Sequence, residues 1–192
     1  MRISGLNLAP PSCLASVRAT RAEDDLRQKL IHAFQSDEEE VRSRGFFESL
    51  GRPEEWISPR ESAEVWCIGC PCGQDRGKIF GVRVGDEFSA PIFYACLACS
   101  NRALIFDPTL HGYNAEIAKR KRKPKKDPNA TFAMHCRACK TTVWHPVVLV
   151  TYQGELDEPF QSRLADFFDV ILIGGVCVKC GYTGFRYDAE CA

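Results

Sequence analysis

Eight cysteines fall into four C-x-x-C pairs, at Cys67/Cys70, Cys96/Cys99, Cys136/Cys139 and Cys177/Cys180. Two thiolates separated by two residues can turn toward one metal ion, and a hairpin joining two such pairs completes a tetrahedral set. Four pairs therefore predict two four-cysteine sites, each binding one structural Zn2+. In chain order the first takes Cys67, Cys70, Cys96 and Cys99, and the second takes Cys136, Cys139, Cys177 and Cys180. Between the pairs lie 25 residues from Cys70 to Cys96 and 37 from Cys139 to Cys177. Cys72 is the alternative ligand of the first site, since Cys70-Pro71-Cys72-Gly73 reads as a second way to build that knuckle. Cys13 and Cys191, near the ends of the chain, are left as free thiols.

Metal competes with two other uses of cysteine. A disulfide framework normally accompanies secretion, yet residues 1–22 hold no continuous apolar signal segment, and a total of 11 cysteines is odd. Thiol redox is suggested by Val65-Trp66-Cys67-Ile68-Gly69-Cys70, a strand-like run leading into C-x-x-C. A redox thiol draws its low pKa from a helix after the motif, whereas Pro71-Cys72-Gly73-Gln74-Asp75-Arg76-Gly77 reads as turns. Of the histidines, His32, His111, His135 and His145, none falls in a His-Glu-x-x-His motif, and the deaminase, P-loop and Gly-x-Ser-x-Gly signatures are also missing. A catalytic zinc keeps an open position and a site of four cysteines is closed, so no enzyme is expected.

The cysteine units repeat. Cys99-Ser-Asn-Arg-Ala-Leu-Ile-Phe-Asp107 and Cys180-Gly-Tyr-Thr-Gly-Phe-Arg-Tyr-Asp188 both carry an apolar residue five positions after the cysteine, an aromatic at seven and Asp at eight. Strand-like runs follow each first pair, at 78–84 and 143–152, and precede each second pair, at 91–95 and 170–176. Knuckle, strand, connection, strand, knuckle, strand resembles the zinc-ribbon folds, twice over, across residues 64–108 and 132–190. Asp107 and Asp188 read as caps or turn formers. The second unit has an inserted segment, Asp157 to Phe168, whose Phe160, Leu164, Phe167 and Phe168 recur at helical spacing and predict one amphipathic helix.

Ahead of the first unit, Thr20-Arg-Ala-Glu23 and Ser36-Asp-Glu-Glu39 read as capping boxes opening two helices, and Ser58-Pro-Arg-Glu61 as a short third turn. The expected class is α+β: two small β-rich zinc-ribbon-like modules with an N-terminal helical extension and a helix inserted in the second module. The expected divisions are a flexible tail over 1–21, the helical extension over 22–63, the first module over 64–108, a helix and basic linker over 109–131, and the second module over 132–192. The N-terminal stretch has the Arg and Ser bias of a mitochondrial transit peptide, but a disordered tail shares it.

The formal net charge is zero, with 25 basic and 25 acidic residues, but this is a cancellation. Residues 1–65 carry −3, 66–118 carry −1 and 127–192 carry −3, while Lys119, Arg120, Lys121, Arg122, Lys123, Lys125 and Lys126 carry +7. The acidic balance of 1–65 argues against a DNA-reading helix-turn-helix there. The basic run could neutralise nucleic-acid phosphates, act as a nuclear address or contact an acidic protein; the alternative is a solvated linker. With 45% hydrophobic residues and no apolar run long enough to span a bilayer, the chain reads as globular, with no membrane partner, intracellular and cytoplasmic. The function expected is a zinc-binding adaptor or accessory protein of a macromolecular assembly, with a protein partner and nucleic acid at the basic linker. The alternatives are a protein-only regulatory or neutralising subunit and, third, a thiol-redox or metal-dependent enzyme.

Overall fold

Val147-Val148-Leu149-Val150 and Ile171-Leu172-Ile173 are apolar at every position, and a strand can use such a run only where both of its faces are buried. A computed structural model describes residues 9–43, 63–84, 87–108, 110–111, 131–151, 168 and 170–190. Its elements in chain order are a 3-10 turn at Ser12–Leu14, β1 (Arg18–Arg21), α1 (Asp24–Ser43), β2 (Glu64–Gly69), β3 (Gly77–Val84), β4 (Glu87–Cys96), β5 (Arg102–Phe106), β6 (Thr131–Ala133), β7 (Trp144–Thr151), β8 (Val170–Cys177) and β9 (Thr183–Glu190). These strands form one antiparallel sheet, in which β7 pairs with β2, with β8 and, through Trp144 and Gly77, with β3.

The α+β expectation is therefore overturned. Strands dominate the described residues, α1 is the one long helix among them, and the sheet is a single curled half-barrel. Nor do the cysteine units fold as two ribbons side by side, because β7 of the second pairs with β2 and β3 of the first along one edge and with β8 along the other, and β6 pairs with β3. The physical reason is burial. An isolated ribbon would leave one face of β7 wet, whereas here Trp144, Val148 and Val150 pack into the inner core and Val147 and Leu149 pack on the α1 side, so both faces are covered.

On the inner face of the curl, Trp66, Ile68, Trp144, Val148, Val150, Ile171 and Ile173 pack with Ile79, Ile92, Tyr94, Ile105 and Phe106. On the other face, Val65, Val147, Leu149 and Leu172 pack with Leu30 of α1, with Leu26 and Ile31 beside it. Asp24 and Asp25 sit in the first turn of α1, where their charge suits the helix dipole. The helix runs unbroken through Ser36, so the two helices expected before residue 50 begin as one, and Thr20 belongs to β1 instead of capping it. Residues 12–21, expected as a tail, are anchored: Cys13 and Leu14 are buried, and β1 pairs with β2. The Arg21 guanidinium holds the buried Glu64 carboxylate with two hydrogen bonds, at 2.6 and 2.5 Å.

Several expectations fall outside the described residues: the turn at 58–61, the helix continuing past residue 111, the basic run 119–126 and the inserted helix except Phe168. That residue is buried, with its ring centroid 6.3 Å from that of Phe106. Asp107 does form a turn: its carbonyl accepts from the N–H groups of Leu110 and His111, at 3.0 and 2.8 Å, and its own N–H donates to His111 Nδ1 at 3.0 Å. No described helix is long and apolar enough to cross a membrane.

Candidate metal centres

Successive side chains of a strand point to opposite faces. In β2 this places Trp66, Ile68 and, just beyond, Cys70 toward the inner core, and Val65 and Cys67 toward the α1 side. Cys67 and Cys70, an odd number of residues apart, are thus on opposite sides of the sheet and cannot share an ion. The structure brings Cys72 into the first group instead. Cys70, Cys72, Cys96 and Cys99 form one cluster and Cys136, Cys139, Cys177 and Cys180 the other, with all sulfurs of a cluster within 4.8 Å of one another. The first-site set expected from the pairs thus changes at one position, Cys67. That thiol packs as a small core hydrophobe, and burial raises its pKa.

Three knuckles share one geometry. The N–H of the first cysteine donates to a carbonyl five residues on: Cys96 to Asn101 at 2.9 Å, Cys136 to Thr141 at 2.8 Å and Cys177 to Tyr182 at 2.8 Å. The residue after the second cysteine turns left-handed: Ser100 at φ 58°, Lys140 at 61° and Gly181 at 73°. The first knuckle is one residue shorter throughout. Cys70 N–H donates to Gln74 O at 2.7 Å, and Gly73, directly after Cys72, has φ 99°. Here lies the signal that the pair spacing concealed. After Cys70 comes Pro71, whose ring fixes φ near −65°, so Cys67-x-x-Cys70 lacks the left-handed residue that closes a knuckle, and Cys70-x-Cys72-Gly73 has it.

Within the clusters, Cys70 and Cys99 sulfurs are 3.5 Å apart, Cys72 and Cys96 3.6 Å, Cys136 and Cys180 3.6 Å, and Cys139 and Cys177 3.5 Å. A disulfide would bring sulfurs to about 2.05 Å. Four sulfurs about 2.3 Å from a central ion lie about 3.8 Å apart at the edges of the tetrahedron, so both clusters have the dimensions of a metal site.

Electrostatics marks equivalent positions in the two centres. The backbone N–H of Cys99, helped by that of Ala98, pulls the Cys96 thiol down to about 6. At Cys177 desolvation opposes ionisation, but the N–H groups of Cys180 and Lys179 together with the Cys139 and Cys180 thiols outweigh it and bring the thiol to about 7. The second cysteines of these knuckles go the other way. The N–H of Asn101 favours the Cys99 thiolate, but hydrogen bonding with Cys70, burial and the Cys72 and Cys96 sulfurs push it up to about 12. At Cys180 the N–H of Tyr182 is likewise outweighed, by desolvation and by the Cys177, Cys139 and Cys136 sulfurs, and the thiol rises to about 12. Four thiols this close cannot all ionise without a cation among them.

The centres lie along one row of the sheet, because Cys96 pairs with Gly77, Gly77 with Trp144 and Trp144 with Cys177. Three inter-strand steps make the span about 14 Å along the sheet. Gly77 is required there, since a Cβ would overlap the Tyr94 ring. The Tyr94 hydroxyl donates to Arg76 O at 3.2 Å, and Trp144 Nε1 donates to Met134 O at 3.0 Å, so aromatic side chains from the core brace the segment between the centres. None of the four histidines joins a cluster; His145 Nδ1 lies 3.5 Å from Asp75. Cys13 is buried in the inner core. Comparison with protein-family models, curated proteins and solved structures finds no match to this chain.

Proposed function

We propose that the chain is a zinc-binding adaptor or accessory protein, in which two Zn2+ ions hold the scaffold and the surfaces do the work. The observation that carries this reading is that each cluster supplies four thiols at tetrahedral spacing. A thiolate set of this kind suits Zn2+, and with four protein ligands no coordination position is left for water or substrate. The opposite orientation of Cys67 and Cys70 also removes the C-x-x-C pair most like a redox dithiol. Structural zinc would contribute folding energy, about 10–16 kcal/mol in zinc-finger peptides, and so compensate for tying off the ends of β2, β4 and β8.

Native mass spectrometry tests this directly. The chain should carry two zinc ions, Cys72→Ser should carry one, and Cys67→Ser should keep both. Metal-free protein with oxidised thiols would overturn the reading, and loss of zinc from Cys67→Ser with retention in Cys72→Ser would overturn the ligand set.

A further inference from the structure

We propose that the outer face of β3, β4 and β5 binds single-stranded nucleic acid. This deepens the adaptor reading and rests on it, since it takes the metal-held sheet as the scaffold. On these strands Ile79, Ile92, Tyr94, Ala103 and Ile105 fill the inner core, so the alternate positions Lys78, Phe80, Phe93, Arg102 and Leu104 point outward. Those five belong to neither core; Arg102 is exposed and the others are half-buried.

Register arranges the outward residues in two rows. Lys78, Ala95 and Arg102 lie side by side across the three strands, and Phe80, Phe93 and Leu104 form the next row. The Arg102 guanidinium lies over both rings, with its Cζ 4.5 Å from the Phe93 centroid and 5.3 Å from that of Phe80. The two rows together offer two cations, two aromatic rings and no carboxylate. A base can stack on a phenyl ring or on the plane of an arginine, and the adjoining phosphates would meet Lys78 and Arg102. An acidic peptide would match the charge but has no use for the paired rings. A duplex hides the faces of its bases.

The test uses the full zinc-loaded chain and fluorescence anisotropy with labelled mixed-sequence strands of about 16 nucleotides, as DNA, as RNA and as duplex DNA. Single strands should bind more tightly than the duplex. Tighter RNA binding would add a 2′-hydroxyl contact to the stacking, and equal binding would assign the affinity to stacking and charge; either result supports the proposal. Phe93→Leu should weaken binding about tenfold with unchanged zinc content. Should Phe93→Leu lose zinc, the surface variant Lys78→Gln/Arg102→Gln decides: it should weaken binding and lower the slope of log affinity against log salt by about 0.7 per cation removed. Protein that carries two zinc ions and binds no strand would overturn the proposal and leave the adaptor reading intact. So would single-strand binding unchanged in the zinc-retaining variants, or equally tight binding of poly-glutamate. Absence of zinc from the wild-type chain would instead mark the failure of the scaffold reading.

Discussion

The thiols of the two centres are prepared unequally for metal. In the metal-free chain Cys96 near 6 and Cys177 near 7 both lie below the 9.0 of an ordinary thiol, so the fold favours their thiolates. That contribution to stability is complete above the unfolded value and is lost as pH falls through about 7 and then about 6. Cys99 and Cys180, at about 12, hold their protons across this range, and metal must displace them. Zinc loading at neutral pH should therefore release protons, and affinity should fall steeply between about pH 8 and pH 6. Competition against a chromophoric chelator across that range, with calorimetry in buffers of different ionisation enthalpy, measures both. An affinity independent of pH would contradict the assignment of thiol ligands.

At the scale of elements, β1 is short and lies outermost, beside β2, and the Arg21–Glu64 pair adds a side-chain link to their backbone pairing. Arg21→Ala would leave the buried carboxylate of Glu64 without its guanidinium and should cost about 1–3 kcal/mol in urea denaturation of the zinc-loaded chain, with Glu64→Gln milder. No change in Arg21→Ala would mean that water already serves the carboxylate. The strands themselves were legible in the chain. Runs expected at 78–84, 91–95, 143–152 and 170–176 correspond to β3, β4, β7 and β8, because their β-branched and aromatic density is a local property. The partner of β7 was not legible, since pairing between distant strands leaves no local mark. Three of the four knuckles could be read from spacing because each is a closed local turn. The fourth was hidden by Cys67, whose direction depends on strand parity and not on spacing. The Arg102 cluster was equally hidden, as it joins side chains from β3, β4 and β5.

For the whole molecule, two tandem ribbons and one shared sheet behave differently on heating. Independent modules would melt in two steps, each tied to its own zinc. Here the inner core takes residues from both cysteine units, and Cys70, Cys96, Cys136 and Cys177 are themselves part of it. Scanning calorimetry should show one transition in the zinc-loaded protein, and Cys72→Ser should lower the melting temperature of the whole chain and not of one half. Two resolved transitions would show that the halves fold separately despite the common sheet.

The pairing of β2 with β1 on one edge and with the distant β7 on the other also bears on synthesis. When β2 leaves the ribosome its second neighbour does not yet exist, and the chain must extend through residue 151 before β7 can complete its pairing with β2 and β3. The N-terminal half therefore emerges with an apolar strand edge open, at the stage when nascent chains are most exposed to chaperones and to one another. Separately translated halves would be poor folders alone, yet each carries the missing strands of the other, which makes the connection between β5 and β6 a natural place to divide the gene for fragment complementation.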